Sequence, residues 1–399
     1  MTVPDPQVVP SLAQIHRMIR AEVAPHFASW ARCGSLEELQ RDPAYRRLEP
    51  VVRTILETPE GGSFSAGPAA ARERYRIVAW NLERGTQLPG QLEAFRTHPY
   101  LRESDVVLVT EADVGMARSA NRNVTQDLAR ELGWHYAFVP CYLNLVKGSG
   151  IERELPGEND LGLQGNAVLS RYPIGRVWAI PLENGNDKMA VPEKRLGCET
   201  ALGAEILLPR ASLTVAAVHL DARSTQQHRS EQMQAVLDRM PATGPVVLGG
   251  DWNTTTYDSS RAVFAILGFW LRVLMGVDHV IRNHYLHPYS RFERDLFERL
   301  EAQGYDYRKC NLLGERTISY DVDDVKTRES LGEWVPDWCF TFIRWSLRHH
   351  GGRCPFKIDW FATRSVRTEN PMVLHEFREG RQPPLSDHDP IGVDVAALA

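Results

Sequence analysis

The chain has 399 residues, 43% of them apolar and 24% charged, with a formal net charge of −5. That length allows either a few domains of ~150 residues or one large α/β sandwich, and the composition excludes disordered, collagen-like and repeat architectures. The acidic balance excludes a general polyanion-binding surface, so contact with nucleic acid would need a local basic patch.

The N-terminus, "MTVPDPQVVPSLAQ", has no basic stretch followed by an apolar one, which predicts a cytoplasmic protein. Residues 11–57 carry two helical patterns with Ser11 and Ser35 as N-caps. The Gly-, Pro- and Ser-rich "TPEGGSFSAGPAAARER" then reads as a linker, giving a helical extension over 1–72 and a main domain over 73–398. In the main domain the apolar runs "YRIVAWN", "VVLVTE", "NAVLSRYPI", "ALGAEILL", "SLTVAAVHL", "PVVLGGDWN", "KIDWFAT" and "PIGVDVAA" have strand length. Helical patterns at 123–132 and 226–239 lie among them, which predicts sheets covered by helices.

Residues 258–350 interrupt that rhythm as a helical, charge-rich insertion. Within it, "VFAILGFWLRVLMGV" at 263–277 is short of the ~20 residues that span a bilayer. It reads as a buried or interface helix, or as a peripheral contact with lipid from one side. Asp278, His279, His284 and His287 imitate a metal-ligand run without the spacing of an established zinc site. The six cysteines, at 33, 141, 198, 310, 339 and 354, show no CxxC spacing and read as reduced thiols.

Following each apolar run to its polar end gives Asn81, Glu111, His219, then Asp251 with Asn253, while Asp359 lies in "KIDW" and Asp387 and His388 precede the last strand. Strand ends on one edge of a sheet converge. Carboxylate and amide oxygens from separate strands would hold a hydrated Mg²⁺ or Mn²⁺ and leave room for substrate oxygens. An Asp could align or deprotonate water there, and a histidine could donate to oxygens that gain charge in the transition state.

In the order "AWNLERG", "VTEAD", "QGNAVLSRYPI", "AVHLDA", "GGDWN", "KIDW" and "SDHDP", the sequence resembles the endonuclease/exonuclease/phosphatase superfamily of DNase I-like phosphoesterases. The resemblance implies a four-layer α/β sandwich, two mixed β-sheets flanked by helices. It implies Glu111 as principal metal ligand with Asn81 and Asp387 nearby, and Asp251 as the residue that positions or activates water. It further implies Asn253 and His219 as ligands of the phosphate or transition state, and His388, oriented by Asp359, on the scissile phosphate. Glu111 follows Thr110 where the family usually has Gln, and the tyrosine of the AP endonucleases has no match. Asn166 reads as pocket-lining, and Arg118 and Arg122 could meet substrate phosphates, since Arg binds them bidentately.

These readings predict a metal-dependent hydrolase of phosphoesters, foremost phosphodiesters, acting by direct water attack on nucleic acid or a phospholipid head group. Sphingomyelinase-like or inositol-phosphatase-like hydrolysis is the alternative. A scaffold of the same fold without catalysis is a second alternative, which would place no demand on metal ligands.

Overall fold

A computed structural model describes residues 10–254, 262–321 and 337–396. The first nine residues of the expected extension, 258–261 and 322–336 of the expected insertion, and 397–398 of the expected main domain lie outside the described residues.

Helix α1 (Leu12–Met18) starts at Ser11, whose hydroxyl accepts from the Gln14 N–H while the Gln14 side chain accepts from the Ser11 N–H. Helix α2 (Pro43–Glu57) starts at Asp42 in the same manner. The apolar faces of this segment, including Ile15, Ile19, Trp30, Leu48, Val52 and Ile55, enter one buried cluster with Trp80, Val109 and Phe138. The helical segment therefore shares its core with the body of the molecule. Part of the stretch expected as linker pairs as a strand, β1 (Glu60–Ser63), on β4 (His135–Asn144).

The first sheet runs β1-β4-β5-β3-β2-β15-β14, with β7 (Arg195–Gly197) also on β4. Its other members are β2 (Arg74–Arg84), β3 (Val106–Val114), β5 (Leu163–Ser170), β14 (Thr368–Val373) and β15 (Ile391–Ala396). The second sheet runs β13-β10-β9-β8-β6, made of β6 (Ile174–Pro181), β8 (Thr200–Leu207), β9 (Ser212–Ala217), β10 (Val246–Asp251) and β13 (Asp359–Arg364). Both are mixed, with β2/β3 and β9/β10 parallel.

The side-chain period of two sorts each strand between layers. Ile77 and Ala79 of β2 point into the core between the sheets, which also holds Leu202, Val215 and Phe361, whereas Val78 and Trp80 point to the outer helices. Helices α3 (Leu88–Thr97) and α4 (Val124–Leu132) join α1 and α2 over the first sheet, and α5 (Gln226–Leu237) covers the second. The architecture is the expected four-layer α/β sandwich.

The insertion is less uniform than its sequence predicts. After α6 (Ala262–Met275), helix α7 (Arg294–Ala302) packs on α5, and Leu296, Phe297, Leu300, Tyr305 and Tyr307 complete the outer core of the second sheet. A buried ion pair, Arg229–Glu293 at 2.5 Å, ties this region to α5. Strands β11 (Ile318–Asp321) and β12 (Arg353–Phe356), the latter just past α8 (Asp337–Ser346), form a small third sheet. Among the described residues no helix is long and apolar enough to cross a membrane, and Cys33, Cys141, Cys198, Cys310 and Cys354 are free thiols.

Because Trp30 is fully buried in the cluster shared by the N-terminal helices and the first sheet, Trp30→Ala is expected to lower stability by about 3–5 kcal/mol. Urea unfolding of both proteins, followed by circular dichroism and tryptophan emission, should show one coincident transition; an early separate loss of the helices would contradict the shared core.

Candidate active site

Two irregularities in the first sheet set the site. The pairing of β2 with β3 shifts between Asn81 and Arg84, and that of β3 with β5 shifts between Val109 and Ala112. Such bulges re-aim side chains at strand ends. Glu83, Arg84 and Glu111 take positive φ there, and so does Asn253 on the opposite sheet, conformations that cost energy and concentrate at functional positions. On β10, Gly250 has φ +139, and a Cβ at that position would lie 2.3 Å from the Val218 carbonyl oxygen. Glycine thus permits the close approach of β10 to the chain just before His219.

Four elements converge on the carboxylate of Asp251, which is 1% exposed. The Asn81 Nδ2 donates to Asp251 Oδ2 at 3.1 Å and to Glu111 Oε1 at 3.2 Å. His219 Nε2 lies 3.5 Å from Asp251 Oδ2 and 3.9 Å from Glu111 Oε1, and His388 Nε2 lies 3.7 Å from Asp251 Oδ2. The Asn253 N–H donates to Asp251 Oδ1 at 2.8 Å.

Each histidine is backed by a second carboxylate. His388 Nδ1 meets Asp359 Oδ2 at 2.9 Å, and Asp359 stands opposite Asp251 in the β10/β13 register. His219 Nδ1 meets Glu199 Oε2 at 3.2 Å, and the Tyr142 hydroxyl donates to Glu199 Oε1 at 3.2 Å. Burial opposes charge on both rings, but Asp359, Asp251 and Asp387 hold the pKa of His388 well above the ordinary imidazole value, and Glu199 with Asp251 does the same for His219. Burial likewise opposes ionisation of Asp251 and Glu111. His388 and His219 nevertheless hold Asp251 low, and His219 followed by Arg84 holds Glu111 low. The site is an alternation of carboxylates and imidazole rings.

The loop of "SDHDP" is fixed from behind. Ser386 donates to the Asn81 carbonyl at 2.6 Å, Trp80 Nε1 to the His388 carbonyl at 3.1 Å, and the Gln91 amide to both Leu82 and Leu385 carbonyls. Asp389 faces away from the cluster, holding Arg378 at 2.6 Å and His375 at 2.7 Å.

The donor set fits a divalent cation. Ligand atoms of Glu111, His219 and Asp251 lie within 4.8 Å of one another, as do those of Asp251, Asp359 and His388. Gathered carboxylate oxygens suit Mg²⁺ or Mn²⁺. Glu111, its side chain 22% exposed, is the member open to solvent. Asn81, expected as a ligand, presents its nitrogen to the carboxylates while its oxygen accepts from the Glu83 N–H at 3.0 Å. Ligation through Oδ1 would require the amide to turn. Asp387, the other expected ligand, stands at the rim with its side chain 53% exposed and Oδ1 4.0 Å from His388 Nε2.

The remaining expected residues are engaged elsewhere. Asn253 directs its side-chain amide to the Leu220 carbonyl at 2.9 Å, so its link to the cluster is the backbone N–H. The buried Asn166 donates to the Thr200 carbonyl at 2.8 Å, which makes it a tie between the sheets. Arg118 does not line an open pocket: its side chain is fully buried, in ion pairs with Asp113 at 2.8 Å and Glu193 at 2.5 Å. Arg122 pairs with Asp127 of α4 at 2.7 Å.

Three participants escaped the sequence reading. Glu199 sits immediately before β8, in "GCETALGAEILL", where a lone carboxylate ahead of an apolar run carries no motif that marks it. Arg84, in "NLERG", reaches Glu111 at 3.7 Å and binds Glu152 at 2.6 Å and Glu193 at 3.4 Å, which joins the site to the 146–160 loop. Tyr320 lies on β11, two residues beyond Ile318, which bridges His388; burial, then Asp387, Asp251, Glu111 and Asp359, raise its pKa.

The model of the Endonuclease/Exonuclease/phosphatase family matches residues 78–388, a span from β2 to His388 that encloses every residue of the cluster. The chain belongs to this family. Its members are, in general, hydrolytic phosphoesterases. No curated protein matches the chain. Among solved structures it is similar to an endonuclease/exonuclease/phosphatase from Beutenbergia cavernae DSM 12333, at 17% identity over 82% of this chain and 72% of that one, with a TM-score of 0.47. It is also similar to a 3′ phosphatase from Neisseria bound to a product DNA hairpin, at 15% identity over 81% and 100% of the two chains (TM-score 0.47). A third is D. rerio TDP2 complexed with a single-strand DNA product, at 14% identity over 82% and 100% (TM-score 0.42).

Two outcomes follow from this geometry. In Glu199→Gln, the His219 imidazole loses the carboxylate that raises its pKa, so NMR titration should show its proton leaving at lower pH than in wild type. Arg118→Met takes from the buried Asp113 the cation that hydrogen-bonds both its oxygens, and a loss of about 3–5 kcal/mol in urea unfolding is expected.

Proposed function

We propose that this member of the family is a divalent-metal-dependent hydrolase of phosphodiesters that acts by direct attack of water, with no covalent intermediate. The observation that carries the reading is the placement of Asp251 between two histidines, each backed by its own carboxylate. A binding surface has no use for that arrangement. It supplies an anionic group for water and two histidine donors for phosphate oxygens in one cluster.

In this mechanism Glu111, together with Asp251 and with Asn81 or Asp387 after a turn of their side chains, would hold Mg²⁺ or Mn²⁺, which when bound withdraws charge from the phosphate oxygens. Asp251, kept ionised by the flanking rings, aligns the attacking water and takes its proton. His388, held by Asp359, donates from Nε2 to a non-bridging phosphate oxygen. His219, held by Glu199, donates on the other side of Asp251, either to the phosphate or to the leaving oxygen. Both donors are fixed before substrate arrives, so little reorganisation is needed as charge develops. Tyr320, on the strand that bridges His388 through Ile318, would offer a further neutral donor.

Substrate panels of DNA, RNA, sphingomyelin, inositol phosphates and bis(p-nitrophenyl) phosphate, each with Mg²⁺ and with Mn²⁺, should reveal turnover that EDTA abolishes. Asp251→Asn and His388→Ala should each lower kcat by about 10²-fold or more. Full turnover by both variants on every substrate cleaved by the wild type would refute the mechanism.

A further inference from the structure

Helix α6 is inverted relative to an ordinary surface helix. Its one charged residue, Arg272, is 6% exposed, donates to the Gly268 carbonyl at 2.6 Å and lies over the Phe292 ring at 5.2 Å. Its aliphatic residues point outward instead: Val263, Leu267, Leu271 and Leu274 are 63%, 61%, 56% and 84% exposed. At i, i+4, i+8 and i+11 these four lie along one stripe of the helix. Beside it runs α8, joined through the edge-to-face contact of Trp270 with Phe342 at 5.5 Å. Phe342 and Trp345 of α8, three residues apart, are exposed as well. Scattered apolar residues on a surface are unremarkable, but a continuous apolar face of this kind marks a docking site.

The charge around the patch selects the occupant. Although the chain carries a net −5, residues 338–357 contain no Asp or Glu and include Arg344, Arg348 and Arg353 with His349 and His350. Arg348 lies over the Trp345 ring at 4.6 Å. Among the described residues, Asp321 meets Arg353 at 3.2 Å and Asp278 meets His350. Arg344 and Arg348 are exposed at the edge of the apolar face. Aliphatic side chains bordered by Trp and Arg match the boundary between acyl chains and anionic headgroups. A second copy of the chain fits less well, because a two-fold contact on this face would bring the arginine-rich flank of one copy close to that of the other.

We propose that the α6/α8 face seats this protein on an anionic lipid surface. The inner sides of α6 and α8 pack through Met275 and Ile343 on a cluster that holds Ile318 of β11, and Ile318 bridges His388 of the site. A molecule seated by this face therefore holds the site beside the headgroups. The docking stands on the patch alone; only the corollary, that the phosphoester is presented in a membrane, rests on the hydrolase reading.

The test is flotation of the full-length protein with vesicles of phosphatidylcholine alone and of phosphatidylcholine mixed with phosphatidylserine. Wild type is expected to float with the anionic vesicles and much less with the neutral ones. The double variant Leu267→Ser/Leu271→Ser, and separately Arg348→Glu, should bind at least tenfold more weakly while keeping the circular dichroism and metal-dependent hydrolysis of bis(p-nitrophenyl) phosphate of the parent. Absence of flotation by wild type, or equal flotation by the variants, would overturn the proposal. A wild-type dimer in sedimentation that the Leu267→Ser/Leu271→Ser change converts to monomer would assign the face to a second copy and overturn it equally. Flotation without hydrolysis would remove the catalytic reading and leave the docking intact; hydrolysis without flotation would do the reverse.

Discussion

The carboxylate of Asp251 is the point on which the two sheets agree. It closes β10 of one sheet and accepts from Asn81, which lies on β2 of the other, and His219 and His388 are both within 3.7 Å of it. An anion so buried is tolerable only with cations or donors around it. The rings at His219 and His388 and the N–H of Asn253 fill that role. The surroundings of Asp251 also explain why each ring needs its own carboxylate: a single aspartate between two imidazolium rings would leave positive charge uncompensated in a region with little water.

Much of this arrangement is visible in the sequence because it is written at strand ends. A run such as "PVVLGGDWN" tells that an apolar strand stops on a carboxylate, and chain topology brings several such stops to one edge. Asp251 and His219 stand where strands stop, Asp359 and His388 where the antiparallel β13 and β15 start, and so the four meet. Less is visible where a residue acts through a different atom from the one its type suggests. Asn253 joins the cluster by its backbone and Asn81 by its nitrogen, and no pattern of residue types specifies either. Arg118 illustrates the opposite error: an arginine in a polar loop invites a phosphate, yet Asp113 and Glu193 already surround it. Glu193 lies 75 residues away along the chain, so only the fold makes that partnership known.

The fold follows the same division. Strands such as "VVLVTE" are recognised by apolar runs, whereas β4, "HYAFVPCYLN", mixes His, Pro, Cys and Tyr with its aliphatics and is buried on both faces, so neither alternation nor a continuous aliphatic run announces it. The insertion misleads for another reason. Its amphipathic α7 has the look of a solvated elaboration, but its apolar side supplies Leu296, Phe297 and Leu300 to the second sheet's outer core. Amphipathicity states that a helix has an inside; it does not state whose inside that is.

Strand β15 lies between β2 and β14 and forms six registered pairs with β2. The chain as far as Ala396 must emerge from the ribosome before the first sheet can close at this position. Until then β2 offers an unpaired edge of Ile77, Val78 and Ala79 to any other strand, and a chain cut short before Ile391 would keep that edge for good. Nascent and truncated forms are thus the ones exposed to aggregation and in need of a chaperone.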